Sequence, residues 1–336
     1  MKRWQRSFTT HKPLVFLVLA AAVAAAAAAS FCFGSSGLGA WDTLKALWGD
    51  GSKSAVTIAR FVRLPRTVGA LLCGAGLAVG GTVIQGVLGN PLAGPNIIGV
   101  NAGAGFLAIL VSAAFPEVYG LVPAAAFLGA LGACFLVYGL ARRTGASRIT
   151  LVLAGVAVSS MLTAGIDTVR TLAPDAAVGA NSFMVGGLSG VTLNRLILPG
   201  VLILAAVLAA WALSFELDLL SLGDDVAQSV GLSTKTARRL LLVVAAVLCG
   251  ASVSFAGLVG FVGLVVPHAA RFLVGSESRR LIPAAALLGA ALVAGCDVLA
   301  RVLFAPFELP VGILLSLLGG PFFLWLLFRQ RGGRLS

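Results

Sequence analysis

The chain has 336 residues, of which 59% are hydrophobic and only 11% charged, and it carries a net charge of +12. Soluble domains are about 45–50% apolar and about 25% charged, so a water-soluble globule is excluded, as is disorder, which requires low hydrophobicity. The basic residues fall between apolar runs and do not interleave with aromatics, which points to membrane topology and away from nucleic acid.

Lys2, Arg3, Arg6 and Lys12 precede an Ala-rich run at 13–33. That run exceeds the 7–15 residues of a signal-peptide core and fits the roughly 20 needed to cross a bilayer, so it reads as an uncleaved first helix. Further apolar segments follow at 67–88, 97–115, 119–141, 149–170, 196–215, 239–256, 258–267, 281–304 and 310–328. Lipid offers no hydrogen bonds to a free backbone, so each is predicted to be α-helical. The eighth, bounded by Gly257 and Pro267, is too short to cross and reads as a broken segment of the kind that lines a pathway or lies buried among helices.

Ten segments bring both termini to one side. With the termini in the cytoplasm, the inner set is Lys2, Arg3, Arg6, Lys12, Arg142, Arg143, Arg148, Lys235, Arg238, Arg239, Arg271, Arg279, Arg280, Arg329, Arg331 and Arg334. The outer set is half as large: Lys45, Lys53, Arg60, Arg63, Arg66, Arg170, Arg195 and Arg301. The bias supports cytoplasmic termini, and the outer excess at 45–66 calls for its own explanation. The expected fold is therefore all-α and polytopic, with about ten transmembrane helices in one domain over 1–336. Residues 1–12 and 329–336 are its cytoplasmic tails, and 217–237 is its longest cytoplasmic loop.

Five stretches stand out. Arg63-Leu64-Pro65-Arg66 places two arginines three apart on one face at the outer end of the second span. They either snorkel at the interface or meet a partner with acidic residues. Gly89-Asn90-Pro91-Leu92-Ala93-Gly94-Pro95 breaks the chain at the inner end of that span, as a tight turn or as a gate with Asn90 and Leu92 at the pore mouth. Leu219, Leu222, Val226 and Val230 recur at helical spacing in the long inner loop, with Gly223 as a break before Asp224 and Asp225. A membrane-surface helix carries a basic polar face, so these acids favour docking onto a cytoplasmic protein. Asp167 lies near the outer end of span five, at the interface or facing a cavity. Asp297 and Arg301 lie four apart and can pair within one helix, lowering the cost of an acid at depth.

No catalytic or metal constellation is present in the sequence. Cys32, Cys73, Cys134, Cys249 and Cys296 are single thiols without C-x-x-C spacing, and His268 has no ligand partner at metal spacing. Lys53 in Gly51-Ser52-Lys53-Ser54 does not complete a phosphate-binding loop, so the chain has no ATP site of that type and no cofactor is expected.

Taken together, Arg63-Leu64-Pro65-Arg66, Asn90-Pro91-Leu92-Ala93 with Pro95, Gly99-Val100, Leu222-Gly223 with Ala227 and Gly231, Gly260-Phe261-Val262-Gly263-Leu264, Pro267-His268-Ala269-Ala270-Arg271 and Glu308-Leu309-Pro310-Val311-Gly312 resemble the permease subunits of type II ABC importers. The resemblance covers about 13–328. It implies a subunit, most often paired as a homodimer, that carries ferric siderophore, haem or cobalamin, with ferric siderophore favoured. Two cytoplasmic ATP-binding subunits would hydrolyse ATP, and an extracytoplasmic substrate-binding protein would deliver cargo.

By motif position, Arg63, Arg66 and Arg301 would dock the binding protein. Leu222, Gly223, Asp224, Ala227 and Gly231 would form coupling helices against the ATPases. Asn90, Pro91 and Leu92 would form one inner gate and the loop 142–148 a second, with Asp167 on the pathway. Gly94 stands where the family often carries an acid, so a charge at the inner mouth is missing. The rival is an ion-coupled secondary transporter, which needs buried ionisable residues along a path and has only Asp167 and Asp297 to offer.

Overall fold

The computed structural model of the chain describes residues 12–143 and 147–331. Among these residues every regular element is helical: α1 (Lys12–Cys32), α2 (Ala40–Leu47), α3 (Lys53–Leu88), α4 (Val100–Ala114), α5 (Val122–Arg143), α6 (Arg148–Leu172), α7 (Pro174–Val185), α8 (Leu193–Ala212), α9 (Ser214–Leu222), α10 (Asp224–Ser229), α11 (Thr234–Ala256), α12 (Val262–Val274), α13 (Ser278–Val302) and α14 (Val311–Arg331). Seven of these, α1, α3, α5, α6, α8, α11 and α13, are long and apolar enough to cross a membrane. Three shorter apolar stretches, α4, α12 and Val311–Leu324 of α14, complete the ten predicted segments.

Two segments depart from the sequence reading. The second span begins at Lys53, not near residue 67. At 1.5 Å per residue its 36 residues extend about 54 Å, against a hydrocarbon core of about 30 Å. The helix is thus longer than one crossing requires, and Lys53, Arg60, Arg63 and Arg66 lie on its first turns. A π-helical stretch, Ile58–Arg63, lies within α3. The Leu64 N–H bonds the Ala59 carbonyl five residues back, a register that accommodates Pro65, which has no N–H to donate. The broken segment also lies later than expected. Gly257–Phe261 is non-helical, Phe261 takes φ 63°, and the helix runs over Val262–Val274. Hydrogen bonding explains why the break is tolerated: Leu258 N–H bonds Phe183 O (2.9 Å), Gly187 N–H bonds Ala256 O (2.8 Å) and Gly312 N–H bonds Gly186 O (3.1 Å). The free ends of α7, α11 and α14 thus satisfy one another inside protein, as membrane depth requires.

The central helix is α3, packed against α13, α11 and α12. Lipid tails are as apolar as leucine, so these contacts depend on close fit and not on expulsion of water. Small residues allow that fit. A Cβ at Gly74 would lie 2.1 Å from the Gly289 carbonyl oxygen, one at Gly81 1.9 Å from that of Gly263, and one at Gly103 2.2 Å from that of Gly129. Gly132, by contrast, faces open space. Gly74→Ala is therefore expected to destabilise the protein by about 1–3 kcal/mol through overpacking against backbone. Gly132→Ala should be neutral or slightly stabilising, by up to about 1 kcal/mol, through helix propensity. Thermal unfolding of the two variants in detergent should shift in opposite directions.

Candidate functional site

The outer end of the molecule is organised around the carbonyls that terminate α1. Helix ends leave their last carbonyls without intrahelical partners, and two arginines take them here. Arg63 Nη1 donates to Phe31 O (3.2 Å) and Cys32 O (2.6 Å), and Arg301 donates to Ser30 O and Phe33 O (both 3.1 Å). Positive charge is favoured at a helix C-terminus. Arg63 also reaches Thr43 of α2, Ser36 and Leu38 O, closing the 34–47 segment over the end of α1.

Asp297 links the arginines. It is fully buried, accepts from Arg66 Nε and Nη2 at 3.1 Å and pairs with Arg301 Nη2 at 3.1 Å. Arg66 Nη1 spans onward to Glu308 at 2.6 Å, and Ser35 also donates to Glu308. Burial alone would raise the Glu308 carboxyl, but the hydrogen bonds from Ser35 and Arg66 and the charge of Arg66 outweigh it and hold it below its ordinary value. A depressed carboxylate stabilises the fold above its unfolded pKa and loses that contribution as pH falls through the folded value. The Glu308 tie is therefore intact at neutral pH and fails only on acidification.

Arg63, Arg66 and Arg301 are buried in the chain, with relative exposures of 2%, 5% and 2%. Their guanidinium groups are consumed within the chain, so direct docking on them would require the network to open first. The outer basic residues that do face solvent are Lys45, Lys53, Arg60, Arg170 and Arg195. Beside the network lies a cavity of about 290 Å³ lined by Arg66, Arg195, Glu308, Phe183, Phe255 and Pro310.

At the inner end, Gly89 (φ 56°) stops α3, and the Asn90 side chain accepts the Leu92 N–H at 2.9 Å. Asn90 thus shapes the turn. Leu92 lines a cavity of about 120 Å³ with Gly94, Asn96, Asn101, Phe261 and Leu264. Pro91 is exposed. Asp167 lies at the other end of the molecule, exposed on α6 and 3.6 Å from Arg170. The structure therefore does not bring it to Asn90 and Leu92. The predicted second gate, 142–148, falls partly outside the described residues.

The inner loop is a helical hairpin broken at Gly223 (φ 120°), with α9 ending at Leu222 and α10 starting at Asp224. Leu222, Val226 and Val230 are exposed, and Ala227 is buried. Gly231 (φ 87°) ends the hairpin as Leu232 N–H returns to Ala227 O at 3.0 Å. Asp224 is not a free surface acid. It pairs with Arg238 of α11 at 2.6 Å. Asp218 accepts the Ser278 N–H at 3.0 Å, fixing the hairpin to the start of α13.

Ten apolar segments, broken helices stitched internally and a structured inner hairpin define a multi-span membrane transport subunit. Residues 19–329 match the FecCD transport family, and the chain belongs to it. It is 37% identical over 309 residues to the hemin transport system permease protein HmuU of Yersinia pestis, covering 90% of this chain and 92% of that one. It is 36% identical over 326 residues to the probable siderophore transport system permease protein YfhA of Bacillus subtilis, covering 95% of each. A solved metal-chelate type ABC transporter in an inward-facing conformation superposes with a TM-score of 0.83 at 28% identity, over 94% of this chain and 99% of that one.

Removing one partner from a buried ion pair costs about 3–5 kcal/mol, and an exposed pair is worth about 0–1 kcal/mol. Asp297→Ala, which removes the buried carboxylate shared by Arg66 and Arg301, should therefore lower the unfolding temperature in detergent sharply. Asp167→Ala should leave it nearly unchanged. Equal effects would contradict the buried-network assignment.

Proposed function

We propose that this protein is the membrane permease of an ATP-driven importer for an iron chelate. The observation that carries this reading is the near full-length match to permeases named for hemin and for siderophore transport. Two copies of the chain would enclose the pathway in the cytoplasmic membrane, with cytoplasmic termini. ATP hydrolysis would belong to two cytoplasmic subunits seated on α9 and α10, where exposed Leu222, Val226 and Val230 offer apolar contact and Gly223 and Gly231 set the hairpin's bends. A substrate-binding protein would deliver cargo from outside.

Docking of that protein is proposed at the outer rim around Arg63, Arg66 and Arg301. The exposed Arg195 would meet it first, and its acidic residues would compete with Glu308 for Arg66. Exposed charges steer encounter more than they hold a complex. Asn90, Pro91 and Leu92 would form the inner gate, and Asp167 would lie toward the outer end of the route.

Identity to the hemin and siderophore permeases is nearly equal, so overall similarity does not select a cargo. Ferric siderophore is the first choice, with haem and cobalamin next. A secondary transporter is disfavoured because a proton or ion relay needs an available buried acid. Asp297 is committed to two guanidinium groups, and Asp167 is exposed.

A deletion strain should lose accumulation of one labelled compound among ferric siderophore, haem and cobalamin, and regain it when this gene is supplied with its ATPase. Normal uptake of all three, together with failure of any ATPase to copurify, would overturn the proposal.

A further inference from the structure

Arg148 occupies an unusual place. Ser147 caps α6 by accepting the Thr150 N–H at 3.2 Å, so Arg148 is the first residue of that helix. Positive charge at a helix N-terminus opposes the helix dipole, and a local conflict of this kind marks a site where something else compensates. The compensation lies across the inner surface. Arg148 Nη2 donates to the carbonyl of Leu220, near the end of α9. The same guanidinium lies over Gly89, the stop of α3: a Cβ there would be 2.1 Å from Arg148 Nη1. One cation on α6 thus sits where the negative ends of two other helices converge.

The contacts continue along α6 to the gate. A Cβ at Gly155 would lie 1.7 Å from the Ile97 carbonyl oxygen. Ser159 Oγ donates to Asn96 O at 3.4 Å. The 3-10 turn Pro95–Ile98, which follows Asn90 and Leu92 and lines the inner cavity, therefore rests directly on α6. The α9–α10 hairpin, Arg148, α6 and the gate turn form one unbroken chain of packed or hydrogen-bonded groups.

We propose that Arg148 is a positioning residue that transmits displacement of the α9–α10 hairpin to α6 and, through α6, to the gate turn Pro95–Ile98. This rests on the importer reading above. The hairpin's other polar ties run elsewhere, from Asp218 to α13 and from Asp224 to α11, and its apolar contact is Leu217 over Gly86, near the end of α3. Loss of Arg148 should therefore leave the hairpin in place for an ATPase while removing its polar link to α6, on which the gate turn rests. Contiguity by itself does not establish coupling, so the test must separate assembly from transmission.

The test uses the complete complex in proteoliposomes, with ATPase and binding protein, supplied with labelled ferric siderophore, haem or cobalamin. Uptake and ATP hydrolysis are measured on the same preparation. Arg148→Ala is expected to lower cargo moved per ATP by about tenfold, within the range of coupling energies seen for single residues. ATPase copurification and hydrolysis should stay within about twofold. An unchanged transport ratio would overturn the proposal. So would loss of ATPase copurification, which would make Arg148 a support for the hairpin only. Where the Arg148→Ala chain itself fails to fold into the membrane, Arg148→Gln, which removes the guanidinium, decides by the same ratio. If the unsubstituted complex accumulates none of the three compounds with ATP, the importer reading fails, and this inference falls with it.

Discussion

Four consecutive carbonyls at the end of the first membrane helix, Ser30 to Phe33, are taken by two arginines from distant parts of the chain. Much of the outer architecture follows from that constraint. An unmet carbonyl or a lone guanidinium at the edge of a bilayer costs several kcal/mol, so each solves the other's problem. Once Arg63 and Arg301 are committed there, a buried acid is needed to balance the positive charge, and Asp297 stands between Arg301 and Arg66. Three guanidinium groups face two carboxylates, Asp297 and Glu308, and the remaining charge rests on the helix carbonyls. Glu308 is the member nearest solvent, and it links this buried set to the outer cavity.

The inner end solves a different problem with the same means. There the chain must hold a hairpin outside the lipid and still connect it to helices inside. Short polar ties do this: Asp218 to the start of α13, Asp224 to Arg238, and Arg148 to Leu220. Between the two ends, glycine contacts bring backbones together closely enough that α3, α12 and α13 have little freedom to slide. Packed interfaces of this kind have discrete arrangements and do not deform continuously, which suits a protein that must move between states.

The ten apolar segments were legible because lipid imposes a strong rule on apolar runs, although the helix of the eighth lies later, at Val262–Val274, than its apolar run. The hairpin break at Gly223 was legible because a glycine between two periodic stretches has few other uses. The early start of α3 was not, since Lys53 and Arg60 look like loop residues until the helix is seen to run unbroken from Lys53 to Leu88. The burial of Arg63, Arg66 and Arg301 was also hidden, because their partners are distant in sequence: Asp297 is 231 residues from Arg66, and most of the acceptors for Arg63 and Arg301 are backbone atoms. Glu308 stood in a quoted motif without a role. Arg148 read as a cytoplasmic charge at the end of the loop 142–148, the second gate that the resemblance implies, and its contact with Leu220, 72 residues away, was hidden.

The central claim is that ATP, and not an ion gradient, drives transport through this subunit. It is tested most directly by loading proteoliposomes of the complete complex with ATP, collapsing proton and sodium gradients with ionophores, and following labelled chelate added outside with its binding protein. The account predicts accumulation that depends on internal ATP and is indifferent to the ionophores. Accumulation without ATP that the ionophores abolish would contradict it.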